Sequence, residues 1–248
     1  MKIGIIGAGA IGATLAGKYA AAGHRVKLAN SRGPASLADV VNGTSIEAVS
    51  LDRVVEDIDA LIVSIPLNRV PDLPAGLFEK LDPAVPVVDT CNYYPTFRDG
   101  VIDELEAGKP ESIWVSEKIG RPVVKAFNSI FAQSLAVSGR PTGTPSRIAL
   151  PISGDDARAK AIVATLVDDA GYDAVDAGPL AASWRQEPGT PVYSTDDDRD
   201  GVRRRLEQAD KAVAPERRDR CTQAIIDLGA HATVEDMVQL ARATYRIG

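Results

Sequence analysis

Residues 4–34 read GIIGAGAIGATLAGKYAAAGHRVKLANSRGP, and this stretch decides the fold. It joins an apolar run, a glycine cluster, a helix-like run and a second apolar run. Residues 2–6 suit a buried strand, and Ile11, Leu15, Tyr19 and Ala22 recur at helical spacing over 10–22. Gly23 supplies the positive-φ stop that helix ends prefer. A second strand is expected over 25–29, and Gly33-Pro34 opens another helix with proline at a first helical position.

Gly7, Gly9 and Gly12 form GxGxxG between the first strand and the first helix. In this context each glycine has its own task. Gly7 permits the tight turn, Gly9 lets a pyrophosphate approach the backbone, and Gly12 lets helix and strand pack closely. The free N–H groups from Gly7 through Ala8, Gly9, Ala10, Ile11 and Gly12, with the positive helix end, suit a diphosphate. Dinucleotide sites that prefer NAD end the second strand on Asp or Glu, which holds the ribose 2′-hydroxyl. Here the strand runs into Asn30-Ser31-Arg32. Asn30 carries no charge, Ser31 offers a hydroxyl, and Arg32 brings a planar cation matched to phosphate oxygens. The helix opening at Pro34 adds its dipole, and the corner selects NADP(H).

Outward from this unit, apolar runs at 60–65, 85–89 and 122–127 alternate with helix-like segments. Such runs suit strands covered on both faces of a doubly wound parallel sheet of the Rossmann type. Ser64, Ile65 and Pro66 end one strand, where the carboxyl edge of the sheet receives the nicotinamide half. Asn92, Lys125, Ala126, Asn128 and Ser129 follow later strands and are candidates for the same cleft. Lys125 and Asn128 are the candidate catalytic residues, Lys125 as a proton donor or a contact for an anion. Asn92 and Asn128 also suit helix caps. Tyr93, Phe127 and Trp184 offer flat faces, although aromatics more often fill cores.

Loop-forming residues at 138–145 mark an expected boundary between a dinucleotide domain, 1–145, and a smaller α/β-to-helical part, 146–248. The second part is expected to hold strands at 147–153 and 172–176, a helix over about 155–170, and two or three helices from about 201 onward. The mixed-sign stretch DDDRDGVRRRLEQADK reads as a solvated helix and its entry loop.

Composition narrows the function. The 248 residues are 45% apolar, enough for a packed core, and a net charge of −6 argues against a general nucleic-acid partner. Two distant cysteines make neither a disulfide framework nor a zinc site, and two histidines give little material for a triad or a metal centre. No signal peptide or membrane span is read, so a cytoplasmic protein without a bound metal is expected.

Five segments in order, 4–34, VVDTCNYYP at 87–95, VVKAFNSI at 123–130, ISGDD at 152–156 and VDAGPL at 175–180, resemble the NADP oxidoreductases that use the deazaflavin coenzyme F420. The resemblance implies hydride exchange between NADP(H) and the deazaflavin, with Ser31 and Arg32 at the 2′-phosphate. It also implies a cleft bordered by 175–180 and a homodimer. Hydride transfer between stacked rings needs alignment and exclusion of water more than a protein acid, which suits a chain poor in histidine. Two other readings keep the same cofactor. One is an NADPH-dependent reductase of a carbonyl, imine, quinone or flavin, and the other is a non-catalytic NADPH sensor. Beyond VDAGPLAASW the tail is longer and more charged than the family pattern. Either a reshaped pocket or a subunit interface would account for it.

Overall fold

The computed structural model describes residues 1–229 and 231–245. Six strands, β1 (Lys2–Ile6), β2 (Arg25–Ala29), β3 (Glu47–Ala48), β4 (Ala60–Val63), β5 (Val87–Asp89) and β6 (Val123–Lys125), form a parallel sheet in the order β3-β2-β1-β4-β5-β6. The central strands β1 and β4 are almost entirely buried, as continuous apolar runs in a two-sided sheet should be. Strand order reverses between β1 and β4, and ligands of doubly wound sheets occupy the crevice at that point.

Helix α1 (Ala10–Ala21) buries Gly12, Leu15, Ala16 and Tyr19. The stripe is therefore rotated from the expected one: Ile11 is half-buried and Ala22 is exposed. The small residues Gly12 and Ala16 let the helix lie close to the sheet, which moves the contact line toward them. The helix expected at Pro34 is a 3-10 turn, Pro34–Leu37, followed by one α-turn, α2 (Ala38–Val41). That is too short to sum a useful dipole.

Short helices α3 (Asp103–Glu106) and α4 (Glu111–Ile119) cover one face of the sheet, where Trp114, Val115 and Phe78 are buried. On the other face α1 meets α5 (Ala132–Val137). Strands β7 (Ala149–Ile152) and β8 (Asp173–Asp176) pair in parallel, with α6 (Ala157–Asp169) between them. Ser153, just past β7, bridges Lys125 of β6 in antiparallel fashion, with N–H···O distances of 2.8 and 3.0 Å. The apolar core does not stop at the 138–145 loop. Leu150, Ile152, Val163 and Tyr172 belong to the same cluster as Ile3, Leu15 and Tyr19.

The tail forms α7 (Arg199–Glu207), α8 (Ala214–Leu228) and α9 (Val234–Thr244). Asp198 caps α7 by accepting from the Gly201 N–H, and Val202 and Leu206 pack on Ala149 and Val175. The entry loop is not wholly solvated, because Asp197 pairs with Arg205 and Arg242. Residues 188–195 are buried, and Tyr193 with Cys221 and Tyr245 packs against Tyr94 and Phe131. Among the described residues no helix is long and apolar enough to cross a membrane.

Candidate functional site

The carboxyl ends of β1, β2 and β4 open into a cavity of about 330 Å³ lined by Gly7, Ala8, Gly9, Asn30, Ser31, Arg32, Ser64, Ile65 and Pro66. Gly7 has φ +108°, and a Cβ there would stand 2.0 Å from the Ser64 carbonyl oxygen. A Cβ on Gly12 would stand 2.0 Å from the Gly7 carbonyl oxygen, so these two glycines close the turn against strand and helix. Gly9 differs, because a Cβ there would meet nothing within 4 Å. Its bareness serves the space in front of the loop. Gly9 is also the N-cap of the 12-residue α1 and offers no side chain to the first-turn N–H groups. They remain available to an anion.

At the end of β2 the Asn30 side chain organises the corner. Its Oδ1 accepts from the Arg32 N–H at 2.9 Å, and its Nδ2 donates to Ser36 Oγ at 2.9 Å. Ser31 and Arg32 are exposed, and the Arg32 guanidinium has no acceptor among the described residues. Arg69 lines the same cavity and pairs with Asp72 at 2.8 Å. Leu51 and Leu73 supply apolar wall. None of these four was singled out from sequence, since 67–72 carries no period and folds as a 3-10 turn after β4.

The later candidates are placed differently. Lys125 is no donor on a rim, because it is 0% exposed within β6. Its Nζ lies 3.0 Å from Glu111 Oε2 and 3.8 Å from Asp89 Oδ2, and it donates to the Cys91 carbonyl at 3.0 Å. Burial pulls its pKa down, but Glu111, Asp89 and Glu187 outweigh this and hold the ammonium well above its usual range. Lys125 is thus a sealed counter-ion. Glu111 is raised by burial against the pull of Lys125. Glu187 accepts from the Glu111 N–H at 2.7 Å, and burial with the nearby Glu111 pushes it up to about 8.

Ala126 is fully buried in apolar core, and Asn128 is 2% exposed. Neither Asn92 nor Asn128 caps a helix. They bond to each other, Asn128 Nδ2 to Asn92 Oδ1 at 3.1 Å and Asn92 Nδ2 to the Asn128 carbonyl at 2.9 Å. Asn128 Nδ2 also donates to the Gln186 carbonyl at 2.7 Å, and Gln186 Nε2 donates to Asn128 Oδ1 at 2.9 Å. Ser153 Oγ donates to Gln186 Oε1 at 2.7 Å. This amide lattice locks the tail onto the end of β6, and Gln186 was not foreseen because nothing local distinguishes it. Asn92 keeps a half-buried position at the carboxyl edge, beside Arg98, which donates to its carbonyl at 2.6 Å. The buried Ser129 keeps a hydroxyl without a partner. Tyr93 and Phe127 are core, whereas Trp184 is half-buried with Arg185 and Lys211 over its ring.

Residues 2–93 match the family model for NADP oxidoreductase, coenzyme F420-dependent. The Escherichia coli (strain K12) protein YjhV is 34% identical over 103 residues, which is 42% of this chain and 75% of that protein. The solved structure of the Sinorhizobium meliloti protein SMa0349 is 33% identical with a TM-score of 0.66, covering 78% of this chain and 93% of that one. A structure from Arthrobacter sp. fb24, provisionally assigned as an F420-dependent NADP-reductase, is 25% identical with a TM-score of 0.61, covering 74% and 87%. A parallel sheet reversing at β1 and β4, a glycine turn with free helix N–H groups and a cationic corner after β2 agree with these likenesses. The chain belongs to the coenzyme F420-dependent NADP oxidoreductase family and is an NADP-dependent oxidoreductase.

Proposed function

We propose that the protein passes a hydride between NADP(H) and a deazaflavin of the coenzyme F420 class. The observation that carries the cofactor half is the Arg32 guanidinium, exposed and without an acceptor beside a glycine loop whose Gly9 leaves its front open. In this reading Gly7 to Gly12 hold the pyrophosphate, Asn30 sets the backbone of the corner, and Ser31 and Arg32 take the 2′-phosphate. Ser64, Ile65 and Pro66, with Asn92, border the nicotinamide half.

Support for the deazaflavin comes from the family match and from what Lys125 does instead of donating protons. A carbonyl reductase needs a positioned acid near the nicotinamide. The lysine that would have served is enclosed by Glu111 and Asp89. Direct hydride exchange between two flat rings needs no such acid; the bound cofactors supply the redox chemistry and the chain aligns them. A homodimer, implied by the family resemblance, belongs to the same proposal and is checked by sedimentation velocity.

The test mixes purified protein with NADPH and, separately, oxidised deazaflavin, flavins and quinones, following the nicotinamide absorbance. Deazaflavin is expected to be the acceptor consumed. Binding of NADPH with no oxidation by any acceptor would overturn the proposal in favour of a sensor.

A further inference from the structure

A second cavity of about 430 Å³ shares no lining residue with the first. One wall is the turn between α3 and α4, another is the 3-10 turn Leu180–Gln186 with Glu187, and the third is the start of α8. Tyr93, Trp184, Lys109, Lys211 and Arg218 carry its chemistry, and Leu105, Pro188, Ala214 and Pro215 make its apolar surface.

Arg218 is 8% exposed, and its guanidinium lies 5.2 Å over the Tyr93 ring. It bonds to Asp219 through Nε and Nη2, and Nη2 lies 3.7 Å from Glu106. Nη1 has no acceptor among the described residues. Lys211 donates to the Gly108 carbonyl at 2.7 Å and stands 5.7 Å from the Trp184 ring centre, which leaves two of its three N–H donors.

Three carboxylates also line the cavity, and Glu111 and Glu187 are hydrogen-bonded while Glu106 is partly exposed and lies 3.7 Å from Arg218. Glu111 accepts from Lys125 and from the Tyr93 N–H, and Glu106 faces Arg218. Glu187 accepts from the Glu111 N–H and, raised to about 8 by burial and Glu111, is mostly neutral near pH 7. The unused hydrogen-bond donors of the cavity belong to Lys211 and Arg218, and they stand over an apolar floor.

We propose that this cavity binds an organic anion, a carboxylate or phosphate on an apolar body, through Arg218 and Lys211, and does so alongside the dinucleotide. The proposal is independent of which hydride acceptor the enzyme uses.

Phenyl phosphate and benzoate serve as probes, with benzyl alcohol as the uncharged control, titrated into the full chain saturated with NADPH. Calorimetry is expected to show saturable binding of at least one anion. Benzyl alcohol should bind at least tenfold more weakly, and Lys211→Glu should weaken the anion at least tenfold. Lys211 is exposed, so this substitution leaves the core intact. The chain has two tryptophans, and Trp114 is 3% exposed, so an emission change on binding should vanish in Trp184→Phe. No saturable binding of either anion, equal binding of the alcohol, full affinity in Lys211→Glu, or displacement by NADPH would each overturn the proposal.

Discussion

Single residues divide the labour at the glycine-loop cavity. With Arg32 on the 2′-phosphate, as proposed, Arg32→Ala would remove one charge-assisted contact, about 1.5–3 kcal/mol. NADPH affinity should fall roughly ten- to a hundredfold while NADH affinity hardly changes, as paired calorimetric titrations would reveal. Gly9→Ala places a methyl where the chain itself has no atom within 4 Å. The variant should unfold at the wild-type urea midpoint yet bind both dinucleotides at least about tenfold more weakly. Lys125→Met leaves Glu111 and Asp89 sealed without a cation, and equilibrium urea unfolding should show a loss of roughly 3–5 kcal/mol. The place of Arg32 beside the glycine loop was legible, because an arginine replaces an expected acid at a fixed distance from a glycine motif. Lys125 was misread for a physical reason. A lysine in an apolar strand is stable only beside counter-charges, and those come from 14 and 36 residues away in the chain, at Glu111 and Asp89.

At the scale of elements, strands covered on both faces declare themselves as apolar runs, and seven of the eight were expected with ends within three residues. Strand β1 and β2 match at both ends. Strand β3 is two residues long and has no period to read. Helix α1 was foreseen, but its rotation depends on how closely Gly12 and Ala16 let it approach, which composition alone does not state. Caps are where local sequence carries the most energy. Asp198→Ala removes the acceptor for the Gly201 N–H and should cost about 0.5–2 kcal/mol. Thermal unfolding would register it, and Asp198→Asn should recover most of the loss.

For the molecule as a whole, the buried ionic cluster makes stability depend on pH. Glu187 is held at about 8 against an ordinary 4.5, so the folded state keeps a proton that the unfolded chain releases. Its stabilising contribution is complete below about 4.5, declines as pH rises, and is gone above about 8. Glu111 is raised in the same direction. Urea unfolding at pH 6 and pH 9 should show wild type losing stability across this interval, with a smaller loss in Glu187→Gln. The course of the tail was not legible, because Gln186, Tyr193 and Tyr245 acquire their roles only through partners far along the chain.

The common interior of the two sheets has a mechanical consequence. Prising β7 and β8 from β6 would wet Leu150, Ile152 and Tyr172 and tear the Asn128–Gln186 pair, a cost that opposes a jaw-like swing of the halves.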